Sequence, residues 1–149
     1  MSGRNRAAAV LLVLCSVPAA FAETPSSTAT STPSAEAFLA ERVAEWQRRL
    51  NLEEWKVTVV LTRRAQLKYG TLGGIKWDKG KRTAVMSVLD PADYTVSAAE
   101  MFRDMEFTVV HELIHLELAS LPKSEASRRV EEQAVNNLTR ALLAQAQPK

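Results

Sequence analysis

Cysteine and histidine are the scarce residue types of this chain. Its 149 residues include one cysteine, Cys15, and two histidines, His111 and His115. Because Cys15 falls in a segment that we predict to be removed, the mature chain would contain no cysteine and no disulfide. Such a domain depends for its stability on its apolar core and on any metal that it binds.

The chain also lacks an apolar run long enough to span a membrane, and this decides how we interpret its first residues. Arg4 and Arg6 precede the apolar stretch Ala7–Val17, which is too short and wrongly flanked for a membrane-spanning helix. Ala20-Phe21-Ala22 has the small-x-small pattern that signal peptidases recognise. We therefore predict that residues 1–22 are a cleaved export signal. The mature protein would be periplasmic or secreted, without a membrane anchor.

The chain lacks a net charge of either sign once this segment is removed. Losing Arg4 and Arg6 leaves 17 basic groups against 17 acidic ones, so the overall charge gives little attraction to nucleic acid. Residues 48–82 nevertheless carry ten basic and three acidic side chains, together with Trp55, Tyr69 and Trp77. A nucleic-acid-associated protease is thus an alternative, although we expect no nucleic-acid partner.

The remaining chain reads as one α+β domain with a short polar lead. Residues 23–33 are rich in Thr, Ser and Pro and predict a flexible linker, followed by a single domain over residues 34–146. Apolar periodicity and turn residues predict one helix, then three strands in a small antiparallel or mixed sheet, then two helices. The predicted helices are Ala35–Leu50, Ala98–Ser120 and Glu125–Gln145, and the strands are Val57–Leu61, Ile75–Trp77 and Arg82–Val88.

The second predicted helix carries His111-Glu112-Leu113-Ile114-His115. Residues four apart project from the same face of a helix, so both imidazoles can bind one zinc ion. Glu112 lies about 100° around the helix from His111, where it can act as general base on a zinc-bound water. This helix is apolar on nearly all sides, which predicts that the motif is enclosed.

A catalytic zinc needs a third protein ligand, and few candidates exist. The metzincin pattern would require Gly and His where Leu118 and Leu121 stand, and no aspartate follows His115. A final helix that runs back antiparallel could bring Glu131 or Glu132 to the metal. Glu131 shares a stripe with Ala134, Val135 and Leu138 and is predicted to face the core, whereas Glu132 shares its face with Val135 and Asn136. The other downstream acids are Glu117, which points to another face, and Glu125, which opens the final helix.

The motif and its surroundings resemble the small gluzincin metallopeptidases of bacteria and phages and, more distantly, the ImmA/IrrE family. Besides the His-Glu-x-x-His helix, the likeness rests on Glu132 with Asn136 four residues later and Leu142-Leu143 ten residues later. At the front of the domain it rests on Trp46, Leu50-Asn51-Leu52 and Trp55.

This resemblance implies a minimal zincin-like fold and a zinc-dependent peptidase with one zinc ion per chain. It favours Glu132 over Glu131 as the third ligand, with Asn136 as a supporting partner. It also implies that an edge strand, for which Arg82–Val88 is the candidate, binds the substrate peptide.

Two points stay open at this level. A non-catalytic zinc-binding or interaction module is an alternative, although a purely structural zinc site has no use for a base such as Glu112. Tyr94 is a candidate donor to the oxyanion, but nothing in the sequence positions it, and an ordinary surface tyrosine is the alternative. The sequence does not indicate an oligomeric state.

Overall fold

The structure is a computed structural model that describes residues 32–121 and 125–146, with the side chains of residues 125–128 left out. The predicted export signal at 1–22, and all of the predicted linker except Thr32 and Pro33, lie outside the described residues. Within the described ranges, no helix combines the length and the apolar character needed to cross a bilayer.

Three helices and a three-stranded mixed sheet make up the described chain, so the α+β prediction is confirmed. Each predicted element is present, with its bounds shifted by a few residues. Short 3-10 turns at Arg64–Gln66, Pro91–Asp93 and Leu118–Ser120 complete the connections. The helices are α1 (Ala35–Arg49), α2 (Ala98–Glu117) and α3 (Glu125–Ala146), and the strands are β1 (Lys56–Thr62), β2 (Gly73–Asp78) and β3 (Thr83–Leu89).

The sheet has the order β1-β3-β2, with β3 parallel to β1 and antiparallel to β2. The predicted edge strand Arg82–Val88 is therefore wrong, because β3 is paired along both edges. Arg82 itself lies in the hairpin turn with a φ of 51°. The physical reason is burial. The buried strand residues Ala84, Met86, Val88 and Leu89 all belong to β3, and the most apolar strand takes the centre of the sheet.

Local sequence accounts for the start and end of α1. The Ser34 side chain accepts a hydrogen bond from the backbone N–H of Ala37 and caps the helix. After Arg49 the chain turns through Asn51, whose φ of 55° stops the helix. Trp46 is buried against the core, and its Nε1 donates to Glu106 Oε1 on α2 at 3.1 Å.

The central helix α2 begins at a capping box, in which Ser97 and Glu100 exchange hydrogen bonds. Met105, Val109 and Leu113 on this helix are fully buried and form the core with the inward side chains of β3. The helix ends at Glu117 rather than Ser120, because the last three predicted residues form a 3-10 turn. Burial of α2 holds its two histidines in place.

The last helix, α3, is amphipathic in a way that the sequence did not reveal. Val135 and Thr139 are fully buried, but Val130 is 70% and Leu138 is 49% exposed, and Ala134 is exposed as well. The predicted core-facing stripe of Ala134, Val135 and Leu138 is thus wrong except at Val135. Apolar residues on α3 form two stripes, and only one of them can face the core.

Candidate metal centre

The two histidines of α2 point their Nε2 atoms at the same place. His111 and His115 are one helical turn apart, and their Nε2 atoms are 3.1 Å from each other. The rings meet edge to face, with centroids 4.8 Å apart. Two imidazole nitrogens at this distance leave a shared position in front of both rings.

Glu132 on α3 approaches that position from the opposite side. Its Oε1 is 3.3 Å from His115 Nε2, and its Oε2 is 3.5 Å from His111 Nε2. The three side chains offer ligand atoms that all lie within 4.8 Å of one another, so this group could hold a metal ion. The structure therefore brings together the three residues that were predicted as metal ligands.

Glu131, the alternative ligand, lies behind one histidine instead. Its Oε1 is 3.2 Å from Nδ1 of His115, which is the ring nitrogen that does not face the shared position. Consecutive residues of a helix are about 100° apart, so the two glutamates approach His115 from different sides. Their roles at the centre are thus different.

His111 has a different environment from His115. Burial and the neighbouring His115 ring lower the pKa of His111, and contacts with Glu132 and a hydrogen bond with Asn136 oppose this shift only in part. A lowered pKa keeps the imidazole neutral, as metal binding requires. Its Nδ1 is buried and finds no hydrogen-bond partner in the described part of the chain.

Glu112 is the third functional residue of the motif and is 8% exposed. Burial, and secondarily the charge of Glu132, raise the pKa of Glu112 to about 7. A carboxyl with this pKa exchanges protons readily near neutral pH. Glu112 belongs to the wall of the same cavity as the two histidines and Glu132.

That cavity has a volume of about 590 Å³ and lies between α2, α3 and the edge strand β2. Gly73 on β2 makes the close approach possible, because a Cβ there would lie 2.4 Å from Thr108 Cγ2 on α2 and 2.6 Å from the Ser87 carbonyl oxygen. No sequence pattern assigned this wall to the site. The wall residues that the sequence patterns did not assign to the site are Lys68, Gly70, Thr71, Leu72, Gly73, Gly74, Ile75, Trp77, Phe107 and Thr108.

Tyr94 is not brought to the centre. It packs against the core, does not line the cavity, and its hydroxyl is buried without a hydrogen-bond partner among the described residues. Burial raises the pKa of Tyr94 to about 12. Neither predicted environment, an oxyanion donor or a surface tyrosine, fits this placement.

The aromatic residues of the basic stretch are dispersed. Trp77 lies in the cavity wall, and Tyr69 is fully exposed. Trp55 is partly buried, and the guanidinium carbon of Arg82 lies 5.9 Å from the centroid of its ring.

Comparison of the chain with family models, with curated proteins and with solved structures found no match.

Proposed function

We propose that this protein is a zinc-dependent peptidase in which His111, His115 and Glu132 bind the metal and Glu112 is the general base. The observation that supports it best is the convergence of these four side chains on one cavity. Two histidines and one glutamate are among the ligand sets used by catalytic zinc. Three protein ligands leave one position for a reacting molecule.

The distances at the centre fit the size of zinc. Tetrahedral zinc with ligands at ~2.0–2.1 Å places neighbouring ligand atoms about 3.3 Å apart. The separations in the structure are 3.1 Å between the two imidazole Nε2 atoms, 3.3 Å from His115 Nε2 to Glu132 Oε1 and 3.5 Å from His111 Nε2 to Glu132 Oε2, so each carboxylate oxygen lies near a different imidazole. Nitrogen ligands also favour zinc over magnesium or calcium, which prefer oxygen.

Each protein residue has a distinct chemical task in this proposal. A bound zinc would supply an activated water and polarise the scissile carbonyl. Glu112 would accept a proton from the attacking water and return it to the leaving amine. Glu112 is buried in the cavity wall, and this burial keeps bulk water away from the carboxyl group that carries the proton.

The substrate peptide would bind along β2 rather than along β3. In the antiparallel pair the Leu72 carbonyl accepts from the Leu89 N–H, so alternate residues of β2, beginning with Gly74, bond to β3. The backbone groups of Gly73 and Ile75 then point to the opposite edge, beside the cavity. An extended peptide can pair with such an edge, as in the zincin-like arrangement that we propose for α2 and β2.

Glu112→Gln tests the function directly. We expect the variant to bind one equivalent of zinc and to lose hydrolysis of a denatured protein or a mixed peptide library, by about 100-fold or more. Metal content is measured on the purified protein, and cleavage is measured by mass spectrometry. Glu117→Gln is the matched control, because Glu117 is exposed on the same helix and does not line this cavity.

The result also separates the peptidase from a non-catalytic zinc module. If wild-type protein binds zinc but cleaves nothing, the enzyme proposal is wrong and the binding module stands. Unchanged cleavage by Glu112→Gln would remove the general-base role. His115→Ala should lose zinc, and wild-type zinc content in that variant would place the metal elsewhere.

A further inference from the structure

The geometry points to Glu131 as a positioning residue that holds His115 in the orientation needed for metal binding. This inference rests on the proposed zinc site, but it does not require that the protein cleaves peptides. It assigns adjacent residues of α3 to separate tasks. Glu132 contacts the ligand nitrogens, and Glu131 contacts the back of one ring.

The contacts of the two carboxylates differ in kind. Glu132 reaches Nε2 of both histidines and is 57% exposed, as expected for a group at the open side of the cavity. Glu131 is 16% exposed and reaches Nδ1 of His115 at 3.2 Å. Nδ1 and Nε2 point away from each other on the imidazole ring, so a carboxylate at Nδ1 is not placed to share the ion with Nε2.

The hydrogen bond also selects the form of the ring that can bind a metal. A carboxylate accepts, so Nδ1 of His115 carries the hydrogen and Nε2 keeps its lone pair for the ion. Hydrogen bonding of this kind fixes the ring orientation and increases the basicity of the ligand nitrogen. Through this hydrogen bond and the contacts of Glu132, two consecutive residues of α3 contact the histidines of the candidate metal centre.

The two histidines differ in this respect. His115 Nδ1 has Glu131, whereas His111 Nδ1 has no hydrogen-bond partner within the described residues. The protein therefore holds the His115 ring before any metal binds. The orientation of the His111 ring depends more on the ion and on Asn136. Removing Glu131 should then affect His115 and leave the His111 ring largely unchanged.

The test compares zinc affinity in Glu131→Gln, Glu131→Ala and Glu132→Gln by competition with a chromogenic chelator. We expect Glu131→Gln to weaken zinc binding by roughly 10- to 100-fold, because the amide still reaches Nδ1 but carries no charge. Glu131→Ala should be weaker again, and Glu132→Gln should lose a ligand altogether. Glu117→Gln is the matched control and should bind as wild type does.

A spectroscopic measurement separates positioning from a general loss of structure. In the zinc-loaded protein, the Nδ1 proton of His115 should give a downfield, slowly exchanging resonance that Glu131→Ala abolishes. The His111 ring signals should stay in place in the same spectrum. Circular dichroism of each variant checks that the fold is intact.

Four outcomes decide the matter. Graded loss over the Glu131 variants with loss of the His115 resonance supports the inference, whether or not peptides are cleaved. Wild-type affinity in both variants overturns it, and so does complete zinc loss in Glu131→Gln, which would make Glu131 a ligand. Failure of the wild-type chain to bind zinc would overturn the metal site and this inference together.

Discussion

The two tyrosines of the chain lie in opposite environments. The hydroxyl of Tyr94 is buried without a hydrogen-bond partner in the described ranges, whereas Tyr69 is fully exposed. A buried hydroxyl loses its hydrogen bonds to water when the protein folds. If it makes no hydrogen bond in the folded state, this loss is not compensated and the free energy of unfolding is lowered. The polar atom of Tyr94 is therefore a source of instability, and the ring alone contributes to the core.

We predict that Tyr94→Phe stabilises the protein at neutral pH by about 1 kcal/mol. The advantage should grow in alkali. The folded-state pKa of about 12 exceeds the usual value near 10, so the wild-type chain loses stability as pH rises through this interval, and the variant does not. Urea unfolding at pH 7 and pH 11 measures the difference.

Tyr69→Phe is the matched control, because an exposed phenol has nothing to gain from losing its hydroxyl. Equal stability of Tyr94→Phe and wild type at pH 11 would show that the Tyr94 hydroxyl is hydrated. Loss of peptide cleavage in Tyr94→Phe would contradict its placement away from the centre.

At this scale, local rules predict part of the metal centre. Four-residue spacing on a helix requires His111 and His115 to share a face, whatever the rest of the chain does. No local rule distinguishes Glu131 from Glu132, because the choice depends on how α3 is rotated when it packs. The resemblance to gluzincins favoured Glu132, and the structure places Glu132 at the ligand nitrogens and Glu131 behind His115.

At the scale of helices and strands, the contact between β2 and α2 sets the width of the cavity at the candidate metal centre. Gly73 faces Thr108 of α2 and the Ser87 carbonyl of β3, with no room for a Cβ. Its neighbour Gly74 faces the other side of the sheet, where a Cβ would meet nothing within 4 Å. One glycine is needed for packing, and the next is not.

Gly73→Ala should therefore destabilise the fold by about 1–3 kcal/mol, because the Ser87 backbone cannot move aside as a side chain can. We expect β2 to move away from α2 and to widen the cavity. Under the proposed function, peptide cleavage should fall while zinc stays bound through residues of α2 and α3. Chemical denaturation and metal content, measured together, check both statements.

Gly74→Ala provides the control on the adjacent residue for stability and zinc content, and it should fold and bind zinc as wild type does. If both substitutions behave alike, the close approach of β2 to α2 is not the cause. A Gly73→Ala variant that also loses zinc would mean that β2 supports the metal ligands directly.

Sequence patterns predicted the elements better than their arrangement. Capping at Ser34 and Ser97 and the hairpin turn at residues 79–82 are local features, and the corresponding helices and strands are found as expected. The order of strands depends on which edges pair across the long connection from β1 to β2, and no local signal encodes that choice. The edge position of Arg82–Val88 was implied only by the family resemblance, and no local signal could correct it.

For the whole molecule, α3 is the helix with the fewest buried side chains among the described residues. Among its described side chains only Val135 and Thr139 are buried, and Leu142, Leu143 and Ala146 are packed in part against the core. Glu131 and Glu132 add polar contacts to the histidines of α2. A metal ion at the centre would thus join α3 to α2 and compensate for its small apolar interface.

Zinc removal should therefore lower the thermal midpoint and affect α3 more than the rest. With free zinc at 100 times its Kd, linkage gives about 2.7 kcal/mol of stabilisation, which corresponds to a shift of roughly 10 °C for a domain of this size. Amide hydrogen exchange should rise mainly in α3 after chelation, because its docking is the contact that the ion supports. Differential scanning calorimetry and exchange mass spectrometry give the two readings.

Magnesium is the control cation, since it prefers oxygen ligands and should restore neither the midpoint nor the protection. His115→Ala should show the low midpoint with and without zinc. Exchange that rises equally in α1, the sheet and α3 would mean that the ion stabilises the domain as one cooperative unit. A midpoint insensitive to zinc would leave α3 held by Val135, Thr139 and the partly buried residues near its end, and the histidines and Glu132 would then be an ordinary polar contact between two helices.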